Sequence, residues 1–124
     1  MGILDSLLGN ASESDAQSLQ QELARLLGAN EQIQKAYAIF RDQLIFTNKR
    51  LILLDKQGVT GKKAEYLSIP YRSIERFSME TTGHFDLESE LKIWVRGQVE
   101  PLGFTFRNDK SIYDVYRTLG EHAL

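Results

Sequence analysis

The sequence predicts a small, mainly β domain flanked by helices: a curled, seven-stranded antiparallel β-barrel with one helix ahead of it and a closing C-terminal helix. Two observations carry that expectation. Between Glu31 and Arg107, short runs rich in β-branched, aromatic and leucine residues alternate with turn residues at intervals of roughly eight to twelve positions. At both ends the spacing of apolar residues changes from two to that of a helix. A chain of 124 residues suits one domain, which buries about two-thirds of its unfolded surface without a disulfide or metal. The expected division is a helical segment over residues 1–28 and the β domain over residues 29–124.

Taken in order, Ile3, Leu4, Leu7 and Leu8 would line one side of a short helical turn, which Gly9-Asn10 breaks. Ser12 followed by Asp15 resembles a capping box with a short acid. Leu19, Leu23, Leu26 and Leu27 then recur at helical spacing, and Gly28 marks the stop. Strands are expected at about 32–40, 43–47, 50–56, 62–69, 74–82, 89–96 and 102–107. Thr47-Asn48-Lys49 is a tight hairpin turn, Gln57-Gly58-Val59-Thr60-Gly61 supplies two glycines, and Gly97-Gln98 ends the sixth strand.

Alternation assigns faces. Leu91, Ile93 and Val95 share one side of the sixth strand, with Lys92 and the single tryptophan, Trp94, on the other. In the seventh, Leu102, Phe104 and Phe106 lie opposite Gly103, Thr105 and Arg107. The last helix should cap near Asn108-Asp109 and present Ile112, Val115, Tyr116 and Leu119 as its apolar stripe.

Composition removes whole classes of function. There is no cysteine, so disulfides and thiolate metal sites are excluded. Fifteen basic residues against seventeen acidic ones give a net charge of −2, which supplies no general field for nucleic acid. The longest apolar runs, such as Leu51-Ile52-Leu53-Leu54, are far below the ~20 residues of a membrane span. With no secretory signal pattern, the expected location is cytoplasmic. Met1-Gly2-x-x-x-Ser6 fits the permissive myristoylation pattern.

The chemical inventory is thin. His84 lies in the bend between strands five and six and His122 in the terminal turn. Neither has a second histidine nearby in sequence, and a loop-ordering hydrogen bond suits His84 better than ligation of a metal. Asp86, Glu88 and Glu90 alternate and so share a face if the segment is extended. They read foremost as a solvated or edge-protecting row, and secondarily as a surface for a cation or a basic partner. The basic pairs Lys49-Arg50 and Lys62-Lys63 are the best available anion site, although solvated turn residues remain the stronger reading. No phosphate-binding loop, nucleophile elbow or RNA-binding signature occurs in the β region. The expectation is no enzyme, no catalytic residues, no metal and no cofactor.

Several strings resemble the bacterial pleckstrin-homology-like family: Met1 to Ser12, Phe46-Thr47-Asn48-Lys49-Arg50-Leu51-Ile52-Leu53, Gln57 to Lys63, Ser68-Ile69-Pro70-Tyr71 and, most specifically, Gly83 to Trp94. The resemblance spans nearly the whole chain, and seven antiparallel strands followed by a helix are the pleckstrin-homology (PH) order. It implies a bacterial cytoplasmic protein without known enzymatic activity. It also implies a cyclic, dome-shaped homo-oligomer with five-fold symmetry whose exposed polar surface serves an unidentified protein partner. Asn48, Lys49 and Arg50 and the stretch to Trp94 carry over as surface candidates. Lipid or phosphoinositide binding is the alternative, which the short first connection near Arg41-Asp42-Gln43 disfavours.

Overall fold

The computed structural model describes residues 13–39, 42–57, 63–81, 88–107 and 110–124. The turn expected over residues 3–8, the glycine turn after Gln57 and the Asn108-Asp109 cap lie outside them. The described elements are helix α1 (Glu13–Glu22), strands β1 (Ile33–Ile39), β2 (Asp42–Thr47), β3 (Arg50–Gln57) and β4 (Lys63–Pro70), a 3-10 turn (Tyr71–Ser73), strands β5 (Ile74–Thr81), β6 (Ser89–Val95) and β7 (Leu102–Phe106), and helix α2 (Ser111–Ala123). Every strand falls within about one residue of its expected place.

The barrel is where the expectation needs correcting. The strands form two sheets, one of four in the order β1-β2-β3-β4 and one of three in the order β5-β6-β7. Among the described residues no ladder joins the two into a closed barrel. Part of the reason is readable at the junction: Pro70 has no N–H to donate, and the 3-10 turn Tyr71–Ser73 ends the extended run between β4 and β5. The chain divides into two compact units, Met1–Ser68 and Ile69–Leu124.

In the first unit, α1 and the turns that follow it pack on the sheet face formed by Ile33, Ala36, Ile45, Ile52 and Leu54: the helix contributes Ala16 and the partly buried Leu19, and the turns contribute Leu23 and the partly buried Leu27. The central strands are also buried on their other face through Leu44, Phe46, Leu51 and Leu53, and Tyr37 meets Phe46 edge-on at 5.9 Å. Leu26 does not join this core and is 47% exposed. The α-helical ladder ends at Glu22 and gives way to tighter turns such as Leu26 N–H to Leu23 O, so the 3.6-residue phase is lost before Leu26. The start of edge strand β1 is occupied by the Gln20 side chain: its Nε2 donates to Glu31 O at 2.8 Å and its Oε1 accepts from Ile33 N at 2.7 Å.

In the second unit, Leu91, Ile93, Phe104 and Phe106 form the buried face of β6 and β7, as the alternation predicts. Helix α2 lies against β5, β6 and the 3-10 turn through Ile112, Val115 and Leu119, all fully buried. Tyr116 sits at the margin of that stripe, partly exposed but edge-on to Phe77 at 5.3 Å. The helix starts with Lys110 at the N-cap position, without a side-chain cap bond.

Gly97 has φ +86° and holds a tight turn in which Gln98 N–H bonds Val95 O at 3.0 Å. A Cβ there would meet nothing within 4 Å, so any cost is conformational. Gly97→Ala is expected to lose about 1 kcal/mol in urea unfolding, with the fold retained.

Candidate functional site

The Thr47-Asn48-Lys49-Arg50 turn was expected at the surface, and its residues separate into internal and external roles. Phe46 pairs with Leu51, so Asn48 and Lys49 form a two-residue connection between β2 and β3. Neither needs positive φ. The turn is instead closed by the Thr47 hydroxyl, which accepts the N–H of Lys49 at 3.0 Å and of Arg50 at 2.9 Å. Asn48 is tied back to the approach to β1: its Oδ1 accepts from Gln32 N at 2.7 Å and its Nδ2 donates to Asn30 O at 3.1 Å.

Arg50 is the largest correction to the expected anion site. Its Nε and Nη2 make a two-pronged contact with the Glu31 carboxylate at 2.8 and 3.0 Å, Nη2 also donates to Leu26 O at 2.8 Å, and Nη1 donates to Ser68 Oγ at 2.8 Å. Glu31 is buried and accepts two more bonds, from Gly28 N at 2.9 Å and Thr47 Oγ1 at 2.7 Å. Hydrogen bonds from Arg50 dominate over burial and hold the Glu31 carboxyl down from 4.5 to about 2. One cation of this basic pair, Arg50, is thus used inside the first unit, and the segment after α1 ends on a carboxylate rather than on a left-handed glycine. Lys49 and Lys63 remain exposed. Lys62, His84 and Asp86 lie outside the described residues.

A second carboxylate feature escaped the sequence reading. Asp42 and Asp55 are direct cross-strand partners on β2 and β3. Burial, then a hydrogen bond and repulsion from Asp55, push the Asp42 carboxyl up from 3.8 to about 6. Among the described residues no group of His, Asp and Glu side chains could hold a metal ion.

The exposed face of the β5-β6-β7 sheet brings together the remaining candidates. Glu80 pairs with Glu90 and Glu90 with Thr105; Ser78 pairs with Lys92 and Lys92 with Gly103; Arg76 pairs with Trp94. The Arg76 guanidinium lies over the Trp94 ring at 4.4 Å. Just beyond β6, Arg96 N donates to Ser73 O at 2.7 Å and its Nη2 to Arg72 O at 3.3 Å. At the other end, exposed Glu88 is 3.6 Å from Arg107. The structure puts Glu90 and Trp94 on the face opposite Leu91 and Ile93, as the alternation predicts; Arg72, Arg76 and Arg96 were not singled out in the sequence, because the Arg76–Trp94 and Arg96–Arg72 contacts depend on strand pairing.

One more surface is unusual. In β4 the six residues from Lys63 to Ser68 are all exposed, so both faces of that edge strand reach solvent. Tyr66 is 46% and Leu67 41% exposed.

The bacterial PH domain family matches residues 2–123. The chain belongs to that family. It is 53% identical over 120 residues to the uncharacterized protein YjqA of Bacillus subtilis, covering 96% of each chain. Among solved structures it is similar to a pleckstrin homology domain from Shewanella amazonensis, with 50% identity, a TM-score of 0.84 and 99% of each chain covered. A pleckstrin-homology protein from Shewanella loihica aligns with 43% identity and a TM-score of 0.78, over 94% of this chain and 97% of that one. The PH-like fold read from the strand order is therefore present, as two sheets and a C-terminal helix. No described helix is long and apolar enough to cross a membrane.

Proposed function

We propose that this bacterial PH domain is a non-enzymatic, cytoplasmic interaction module that assembles into a cyclic homo-oligomer and presents a polar surface to a protein partner. Strand β4 is the observation that carries the assembly. Adjacent residues of a strand project to opposite faces, so exposed Tyr66 and Leu67 leave apolar surface on both sides of one edge strand. An edge also offers unpaired main-chain groups, and proteins normally shorten, charge or cover such an edge. A neighbouring copy that covers it through a different surface makes a head-to-tail contact, which closes into a ring when its rotation permits. The five-fold count is what the resemblance to single-domain members of the family implies.

Light scattering after size exclusion tests this. The expected mass is five times the 14.2 kDa of one chain, and Leu67→Asp should lower it while leaving the circular dichroism spectrum intact. A monomer mass for the unaltered protein would overturn the assembly, and any other multiple would overturn the five-fold count. The alternative, a peripheral lipid or phosphoinositide module, loses its strongest cation because Arg50 is bound to Glu31. Sedimentation with anionic vesicles at low salt tests it directly.

A further inference from the structure

We propose that the basic end of the β5-β6-β7 sheet, built from Arg76, Trp94 and Arg96 with Lys92 and Arg72 beside them, docks a short acidic segment of a partner protein. This rests on the reading of the domain as a protein-interaction module and names the chemistry of the partner.

The net charge conceals how charge is distributed over the β5-β6-β7 sheet. Along β6, Glu90, Lys92 and Trp94 alternate onto one face, and their partners on β5 repeat the order as Glu80, Ser78 and Arg76. Arg96 follows Trp94 by two positions and is held by bonds to Ser73 O and Arg72 O. The face thus carries the Glu80–Glu90 pair at one end and Arg76 beside Trp94 at the other, with Arg96 and Arg72 just beyond that end, although the chain as a whole carries −2.

Among the described residues none of Arg72, Arg76, Lys92 and Arg96 has a carboxylate within 4.0 Å, in contrast to Arg50 and Arg107. Arg76 is positioned by the indole ring, so its five donors keep their capacity for an anion while its rotamer is restrained. Arg96 is similarly tethered by a single Nη2 bond. Holding two guanidinium groups in place beforehand lowers the entropy that binding must overcome. The surface alongside is open: Gly103 pairs with Lys92, and a Cβ on it would meet nothing within 4 Å.

The acidic end decides which anion fits. Glu90 and Arg96 are separated by about 20 Å at the rise of an extended strand. A bilayer or a nucleic acid duplex is anionic over a longer span than that, so lying on this face would press phosphates against Glu80, Glu88 and Glu90. A peptide can confine its acids to the basic end and cross the rest with neutral or basic residues. Carboxylates also match the planar fork of arginine.

The single tryptophan of the chain makes the test direct, because an anion that engages Arg76 alters the surroundings of the Trp94 ring. The full-length protein is titrated at low salt with a short peptide of consecutive glutamates followed by glycine and serine, and Trp94 fluorescence is recorded. A saturable change is expected, abolished by high salt. Arg96→Glu should abolish it and Arg96→Ala should weaken affinity by about threefold to tenfold. Arg117→Ala, an exposed arginine of α2, should have no effect. No saturable change, an equal loss with Arg117→Ala, or a larger change with phosphatidylglycerol vesicles than with the peptide each overturns the inference. The oligomer mass measured on the same samples stays separate, so a negative titration does not count against the ring.

Discussion

Replacing Arg50 by methionine is expected to cost about 3–5 kcal/mol of folding stability, because it leaves the Glu31 carboxylate buried without its cation. The two side chains are not equivalent in this contact. Glu31 is 3% exposed and Arg50 28% exposed, so water can partly rescue the arginine but not the carboxylate. Glu31→Gln should therefore cost less than Arg50→Met, since the amide oxygen still accepts from Gly28 or Thr47 while Arg50 turns to solvent. Urea unfolding of both variants gives the ordering, read as a shift in midpoint at unchanged slope. An Arg50→Met midpoint within error of the parent would show that the contact is solvated and that Arg50 is free to serve an external anion.

That single residue illustrates how far the sequence could be read. Lys49 and Arg50 are neighbours of the same charge, and composition treats them alike. They part because Lys49 lies in the turn while Arg50 opens β3 and is directed at Glu31, nineteen positions earlier. Only the hairpin register brings those positions together, and a lone glutamate between a helix and a strand gives no sign of it. The strands themselves were legible because a two-residue period is a local property, and so was the face on which Trp94 stands. Pro70 after β4 is a local sign of a break that the sequence reading did not use, and whether two sheets close into a barrel depends on ladders between distant strands. The basic end of the second sheet was hidden for the same reason: antiparallel pairing across β5 and β6 sets Arg76 beside Trp94, and the Arg96 side chain reaches Arg72 O from just beyond β6.

The dependence of stability on pH should show two opposed limbs. Glu31 has its folded pKa depressed from 4.5 to about 2, so its contribution is present above the unfolded value and is lost as pH falls through that interval. A shift of that size corresponds to about 3 kcal/mol. Asp42 runs the other way. Its folded pKa is raised from 3.8 to about 6 by burial and by Asp55, so the folded state holds a proton that the unfolded state releases, and stability falls as pH rises across that interval. Both limbs leave a maximum near the overlap, between pH 4 and 5 on the values cited for the two groups. Urea midpoints measured across the acid range check the profile, and two variants assign its sides. Asp55→Asn should flatten the upper limb and raise stability at neutral pH, because the asparagine can donate to Asp42 and removes the like charge opposite it. Glu31→Gln should flatten the lower limb and leave the upper one in place. A profile that rises steadily to neutral pH in the parent protein would mean that the facing carboxylates on β2 and β3 are solvated well enough to ionise together.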